Sequence, residues 1–125
     1  MSEPNLPSRP KLFLRILEAE LKDLVEDIEM VEDKHRESYD RLKITQYVFL
    51  ENTALLEKEH ECLKALLKRL FAMKASEYED VDSLAQAVVK EAKAFVECFE
   101  YPESVVAFVE RKIRKVRRYF DEPED

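Results

Sequence analysis

Glycine is absent from the 125 residues of this chain, although average usage of about 7% would supply roughly nine. Phosphate-binding loops rely on glycine, because a residue without a Cβ lets the backbone turn tightly and approach a ligand closely. The glycine-rich motifs of dinucleotide-binding folds and P-loop NTPases both require glycine. The sequence therefore argues strongly against nucleotide-dependent enzymes of these two types.

Long apolar runs are missing as well. No segment approaches the roughly 18–20 apolar residues that a membrane-spanning helix needs. The first ten residues, MSEPNLPSRP, contain no apolar stretch of the kind found in signal peptides. Cys62 and Cys98 are the only cysteines, and in a reducing compartment they fit buried thiols. We therefore expect a cytoplasmic protein without a membrane span.

The residues needed for nucleophilic catalysis are few and scattered. Neither histidine has an obvious serine or cysteine partner. Cys62 follows His60 by two residues, which places the two side chains about 200° apart on a helix, where they cannot pair. We therefore expect that the chain is not an enzyme.

The residues that are abundant favour helices. Hydrophobic residues make up 46% and charged residues 39%, with a net charge of −7, so the chain is globular and has no global attraction to nucleic acid or anionic membranes. Between Lys11 and Tyr101 there is neither proline nor glycine, and good helix formers dominate. No stretch alternates with the period of a strand. The sequence predicts an all-α fold.

Apolar residues recur at steps of three and four along four segments, which is the spacing of packed helices. In the first segment they are Leu14, Leu17, Leu21, Leu24, Ile28 and Val31. In the second they are Leu55, Leu56, Cys62, Leu63, Leu66, Leu67 and Leu70. The third contributes Val81, Leu84, Val88, Phe95 and Cys98, and the fourth Val106, Val109, Ile113, Val116 and Phe120.

These segments predict an antiparallel helical bundle, made of a long helical hairpin and two shorter C-terminal helices. The hairpin requires a turn near residues 38–46; the alternative is one helix that continues through residues 38–52. Pro102 suits the first turn of a fourth helix, and if it only kinks the chain, the bundle has three helices.

Three prolines among the first ten residues predict an extended tail over residues 1–10, because proline fixes φ and lacks an N–H donor. Residues 11–120 are predicted as a single helical-bundle domain. Residues 121–125 (DEPED) are predicted as an acidic tail.

Two Glu-x-x-His pairs, Glu32 with His35 and Glu57 with His60, have the spacing found in di-iron and di-manganese bundles. At 100° per residue, His35 falls within the first apolar stripe, whereas His60 lies about 100° from the centre of the second and Glu57 points to water. The two pairs do not aim at one core. We therefore favour no metal site and no cofactor, and we keep iron or manganese as the alternative.

A basic face is predicted on the last helix, opposite its apolar stripe; its residues are Arg111, Arg114, Lys115 and Arg118. Such a face can bind phosphate backbones. Residues 18–33 carry eight acids against one lysine, so the basic face can also neighbour the first helix or an acidic partner. We favour the intramolecular role over nucleic acid.

A second, weaker apolar set on the first helix marks a possible interface; its members are Leu12, Ile16, Ala19 and Met30. Asn52 and Glu59 occupy predicted core positions, where a polar residue can fix the register of packed helices unless the helix bends there. In size, acidity and helix content alone, the chain resembles secretion chaperones and adaptors of the flagellar type. We expect a non-enzymatic interaction or adaptor protein that binds a partner protein or itself through apolar helix faces.

Overall fold

The computed structural model describes residues 8–121 and consists of four α-helices that pack against one another. They are α1 (Arg9–Asp40), α2 (Gln46–Ala72), α3 (Val81–Cys98) and α4 (Ser104–Asp121), with one 3₁₀ turn at Ala75–Glu77. No β-strand occurs in this part of the chain. The predicted all-α bundle is confirmed, in its four-helix form with a turn between α1 and α2.

The start of α1 differs from the sequence prediction. The helix begins at Arg9 rather than after Pro10, and Ser8 caps it by accepting a hydrogen bond from the Lys11 N–H at 3.3 Å. Proline is compatible with the first helical turn, because the N–H that it lacks has no partner there in any case. At the other end, α4 includes Asp121, the first residue of the predicted acidic tail. The rest of both predicted tails lies outside the described residues.

Two further helices begin at capping side chains. Thr45 accepts a hydrogen bond from the Val48 N–H at 3.2 Å at the start of α2. Asp80 accepts one from the Ser83 N–H at 2.8 Å at the start of α3. Hydrogen bonds from the backbone N–H and the side chain of Ser83 hold the pKa of Asp80 below its usual value. The caps satisfy backbone donors that have no partner inside the helix.

The end of α1 is a Schellman motif that uses leucine where glycine is usual. Leu42 lies in the left-handed region with φ of 60°. The Lys43 N–H donates to the Ser38 carbonyl at 2.8 Å, and the Leu42 N–H donates to the Tyr39 carbonyl at 2.9 Å. This pairing satisfies two terminal carbonyls and reverses the chain direction towards α2.

The end of α3 repeats the motif. Glu100 has φ of 54°. The Tyr101 N–H donates to the Val96 carbonyl at 3.0 Å, and the Glu100 N–H donates to the Glu97 carbonyl at 3.4 Å. The chain therefore reverses twice through the left-handed region without a glycine, and Pro102 lies in a true break between helices.

Both helix pairs are antiparallel. In the hairpin of α1 and α2, Glu29 contacts His60. His35, which is later in α1, contacts Phe49, which is earlier in α2. In the shorter pair, the start of α3 meets the end of α4. The shorter pair packs on the part of the hairpin that is remote from its turn.

One hydrophobic core fills the space between the hairpin and the α3–α4 pair. Its largest fully buried side chains are Phe13, Leu17, Leu21, Cys62, Leu63, Leu66, Leu70, Leu84, Val88, Val105, Val109 and Val116. Every α-helix contributes to it, so the core joins the four helices into one body.

The hairpin is much longer than the helices that cover it. At 1.5 Å per residue, α1 is about 48 Å and α2 about 40 Å long, whereas α3 and α4 are each about 27 Å. Residues 29–58, which include the turn, therefore extend beyond the α3–α4 pair, and we call them the distal arm. Within the distal arm only Phe49 is buried.

Some predicted core positions are exposed for this reason. Val31 and Leu55 are each 49% exposed, because the α3–α4 pair does not reach them. Asn52 is exposed in the same region, whereas Glu59, at the base of the distal arm, is buried. Cys98 is also exposed rather than buried as predicted, and Cys62 is buried.

Replacing Leu42 by glycine should raise the free energy of unfolding by about 0.5–1 kcal/mol. The left-handed conformation costs a residue with a Cβ about 1–2 kcal/mol, and the greater freedom of glycine in the unfolded chain removes part of that gain. Chemical denaturation measures the difference. Leu42→Ala is the control, because alanine keeps the Cβ; equal stabilities of the two variants would contradict the assignment.

Candidate functional site

The four residues of the predicted Glu-x-x-His pairs are used separately. His35 is half-buried, stacks on the Phe49 ring with centroids 5.3 Å apart, and donates from Nε2 to the Phe49 carbonyl at 3.2 Å. His60 lies 2.7 Å from the carboxylate of Glu29. Each histidine thus joins α1 to α2 within the hairpin.

The structure does not bring these pairs together. Glu29, which holds His60, precedes His35 by six residues, or about 9 Å along α1. Glu57 is exposed, and the carboxylate hydrogen-bonded to His60 is that of Glu29 rather than Glu32. Among residues 8–121, no group of three or more histidine, cysteine, aspartate or glutamate side chains is placed to hold a metal ion.

One residue of the predicted basic face, Lys115, is paired with α1, together with Lys112, which the prediction did not include. Lys112 and Lys115 both donate to the same oxygen of Glu20, at 3.1 and 2.9 Å. The hydrogen bonds from Lys115 and then Lys112 lower the pKa of Glu20, and the bond to Glu20 raises the pKa of Lys115. The basic helix therefore neighbours the acidic stretch of α1 in the same molecule, as the charges predicted.

The rest of the basic face is exposed to solvent. Arg111 lies with its guanidinium carbon 5.9 Å from the centre of the Phe108 ring. Arg114 and Arg118 are exposed and form no hydrogen bond or ion pair with residues 8–121. Arg114 and Arg118, beside the paired Lys115, make a small cationic patch rather than a groove that follows a phosphate backbone.

The second apolar set on α1 does not form a continuous seam. Leu12 and Met30 are 39% and 56% exposed, while Ile16 is half-buried and packs against the core. Asp23 and Glu26 lie on the same side of α1 between Ala19 and Met30. The set is therefore divided by charge, and only Met30 belongs to the distal arm.

A shallow groove of about 860 Å³ lies between α1 and α2 and reaches Phe95 of α3. Its apolar floor includes Leu67 and Phe71, and lysines stand at its rim. Lys22 lies 4.7 Å from the Phe71 ring centre. Arg69 pairs with Glu91 at 2.9 Å. Lys22 and Arg69 are thus engaged within the chain.

Apolar exposure concentrates in the distal arm. Of the eleven large apolar side chains that are most exposed in the described part of the chain, seven belong to it. The seven are Met30, Val31, Leu42, Tyr47, Val48, Leu50 and Leu55. A concentration of exposed apolar side chains on one part of a protein is typical of an interaction surface.

Three of these side chains lie on the side of the hairpin that carries the α3–α4 pair. Leu55 is one helical turn from Glu59, which contacts α4, and Val48 is two turns before Leu55. Val31 is eleven residues after Glu20, so it lies within about 20° of the side of α1 that contacts α4. We call Val31, Val48 and Leu55 the arm face.

Aromatic packing holds the two helices of the distal arm together. The Phe49 ring stacks on Tyr39 with centroids 4.4 Å apart, and His35 stacks near it. The guanidinium carbon of Arg36 lies 5.4 Å from the centre of the same ring. These contacts keep α1 and α2 side by side in the part of the hairpin that neither α3 nor α4 reaches.

Two carboxylates at the base of the distal arm fix the upper end of the α3–α4 pair. Glu59 is 6% exposed and accepts a hydrogen bond from the Ser104 hydroxyl at 2.5 Å. Glu61 accepts one from the Tyr101 hydroxyl at 2.7 Å, which raises the pKa of Tyr101 to about 12. Because Ser104 begins α4, the buried carboxylate of Glu59 also lies near the positive end of that helix.

Comparison with known proteins returns no matching family model, no matching curated relative and no matching solved structure. No helix between Ser8 and Asp121 is both long enough and apolar enough to cross a membrane. The candidate site therefore depends on geometry alone. The sequence pattern wrongly placed Val31 and Leu55 in the core. Their exposure follows from the observed lengths of the four helices.

Ser104→Ala should lower the free energy of unfolding by about 1–2 kcal/mol, because it leaves the buried Glu59 carboxylate without its donor. Thermal and chemical denaturation measure the loss. Ser76→Ala, at an exposed position in the 3₁₀ turn, is the matched control. In a Glu59→Leu background the same Ser104→Ala change should cost little; an equal cost in both backgrounds would refute the role of the pair.

Glu20→Gln should lower stability at neutral pH, and the difference should shrink in acid. A carboxyl whose folded pKa is lowered contributes stability above its ordinary pKa of 4.5 and loses it as pH falls through the folded value. Parallel denaturation series below and above pH 4.5 test this. A difference between the two proteins that is independent of pH would contradict the assignment.

Proposed function

We propose that this chain is a non-enzymatic, cytoplasmic helical protein that acts by contact, and that its distal arm receives helices of another protein molecule. The observation that carries the proposal is the arm face. Val31, Val48 and Leu55 continue the surface that α3 and α4 cover lower on the hairpin. They are 49%, 38% and 49% exposed because no helix of residues 8–121 lies over them.

The nature of the occupant follows from that continuity. Where the same side of the hairpin is covered, a pair of antiparallel helices covers it, with apolar residues packed into the space between α1 and α2. An element that extends this packing onto the distal arm has to present similar apolar ridges, and helices do so at steps of three and four. We therefore propose a helical occupant.

The distal arm is suited to binding because its own shape is already fixed. The Phe49 ring packs against His35 and Tyr39, and the turn is closed by the two hydrogen bonds of the Schellman motif. A surface that is ordered before binding loses little conformational entropy when a partner arrives.

Site-specific photocrosslinking in the cells that make the protein tests this function. A photoreactive amino acid in place of Leu55 should crosslink to another protein molecule, because the side chain at this position lies in the proposed contact. The same residue in place of Lys90, which is exposed on α3, is the control. Crosslinked species are detected by gel mobility and identified by mass spectrometry.

Strong crosslinking at position 55 and weak crosslinking at position 90 are the expected results. Absence of any crosslink at position 55, with the protein expressed and folded, would reject the distal arm as the contact surface. Equal crosslinking at both positions would show contact without preference for the arm, and would also reject it.

A further inference from the structure

We propose that the element on the arm face is the distal arm of a second copy of this chain, arranged antiparallel about a two-fold axis. This inference rests on the proposed function and names its partner. In this arrangement the arm faces of the two copies meet. Each turn, residues 41–45, then reaches the α3–α4 connection, residues 99–103, of the other copy.

The lengths of the helices make the arrangement self-complementary. The hairpin of about 48 Å extends roughly 20 Å beyond the α3–α4 pair of about 27 Å. The distal arm is as long as the part of the hairpin that α3 and α4 leave uncovered. The arm of one copy therefore fits beside the arm of the other, in the space beyond its α3–α4 pair. A two-fold axis makes both fits simultaneous and closes the assembly as a dimer.

The exposed apolar residues lie where this contact needs them. Those at the arm face, the turn and the α3–α4 connection are Val31, Val48, Leu55, Leu42, Tyr47 and Phe99, with exposures between 38% and 87%. Covering them removes roughly 600 Å² from water on each copy, which approaches the ~800 Å² per partner of a standard stable interface. The contact therefore has enough apolar surface for a reversible dimer.

The charge of the distal arm permits this association. Residues 29–58 contain seven acidic and five basic residues, so the arm carries −2 of the net charge of −7. The α3–α4 connection adds Glu100 and Glu103, and in this arrangement it meets a turn of the other copy that carries Arg41 and Lys43. Two arms can therefore approach with little mutual repulsion.

Sedimentation velocity and light scattering over micromolar to submillimolar concentrations test self-association. We expect the mass to rise from one chain to two. Leu55→Lys should raise the dissociation constant about tenfold or more, because it places a charge within the arm face that the contact covers. Leu50→Lys is the matched control: Leu50 is 57% exposed on the same helix but lies about 140° from Leu55.

A monomer at every concentration would overturn the dimer, and so would equal weakening by Leu50→Lys and Leu55→Lys. The cellular crosslinking separates the two proposals. If position 55 crosslinks to a different protein and the purified chain is monomeric, the proposed function is supported. The same result would reject the dimer of this chain. No crosslink at position 55 would reject both.

A native thiol tests the antiparallel orientation. Cys98 is exposed next to the α3–α4 connection, whereas Cys62 is buried. In Leu42→Cys, a short bismaleimide should link the introduced thiol of one copy to Cys98 of the other, and Cys98→Ser should abolish that link. Efficient linkage of Leu42→Cys chains in the Cys98→Ser background would instead indicate arms that meet tip to tip, and would refute the antiparallel arrangement.

Discussion

The unequal lengths of the two helix pairs determine the architecture of this protein. A hairpin of 32 and 27 residues packs on two helices of 18 residues each. Burial of apolar surface drives the packing only as far as the shorter helices extend. Alongside the shorter helices the core is continuous. Beyond their ends, the contacts that the described residues provide to the hairpin are those between α1 and α2. The candidate site is the direct result of this difference.

The types of side chain that join α1 to α2 change at the point where the α3–α4 pair ends. In the covered part, leucine and valine fill the space between four helices. At the limit, the buried carboxylate of Glu59 is satisfied by Ser104 at the start of α4. In the distal arm, stacked rings and histidine hydrogen bonds replace the core, because two helices enclose too little volume for a hydrophobic interior. His35 and His60 are therefore structural bridges between α1 and α2.

Much of the fold could be predicted from the sequence, because steps of three and four mark helices directly. The turn near residues 38–46, the break at Pro102 and the attraction between the basic and acidic helices all followed from pattern and charge. Val31, Leu55 and Cys98 were assigned wrongly to the core, because periodicity shows which side of a helix is apolar but not whether anything covers that side. Coverage depends on where four helices begin and end relative to one another, which spacing along one chain does not contain. The signal that could have found the arm was the comparison of segment lengths, since two helices of about 30 residues cannot be fully covered by two of about 18.

One of the two cysteines is buried and the other is exposed. Their relative reactivity therefore reports how often the helices of the core separate. Cys62 is fully enclosed by the four-helix core, and burial together with the neighbouring Glu61 charge raises its pKa to about 12. It therefore stays protonated and shielded from electrophiles while the helices remain packed. Cys98 is exposed on the surface of the single chain. The ratio of their alkylation rates thus counts how often the core separates, without any added label or reporter group.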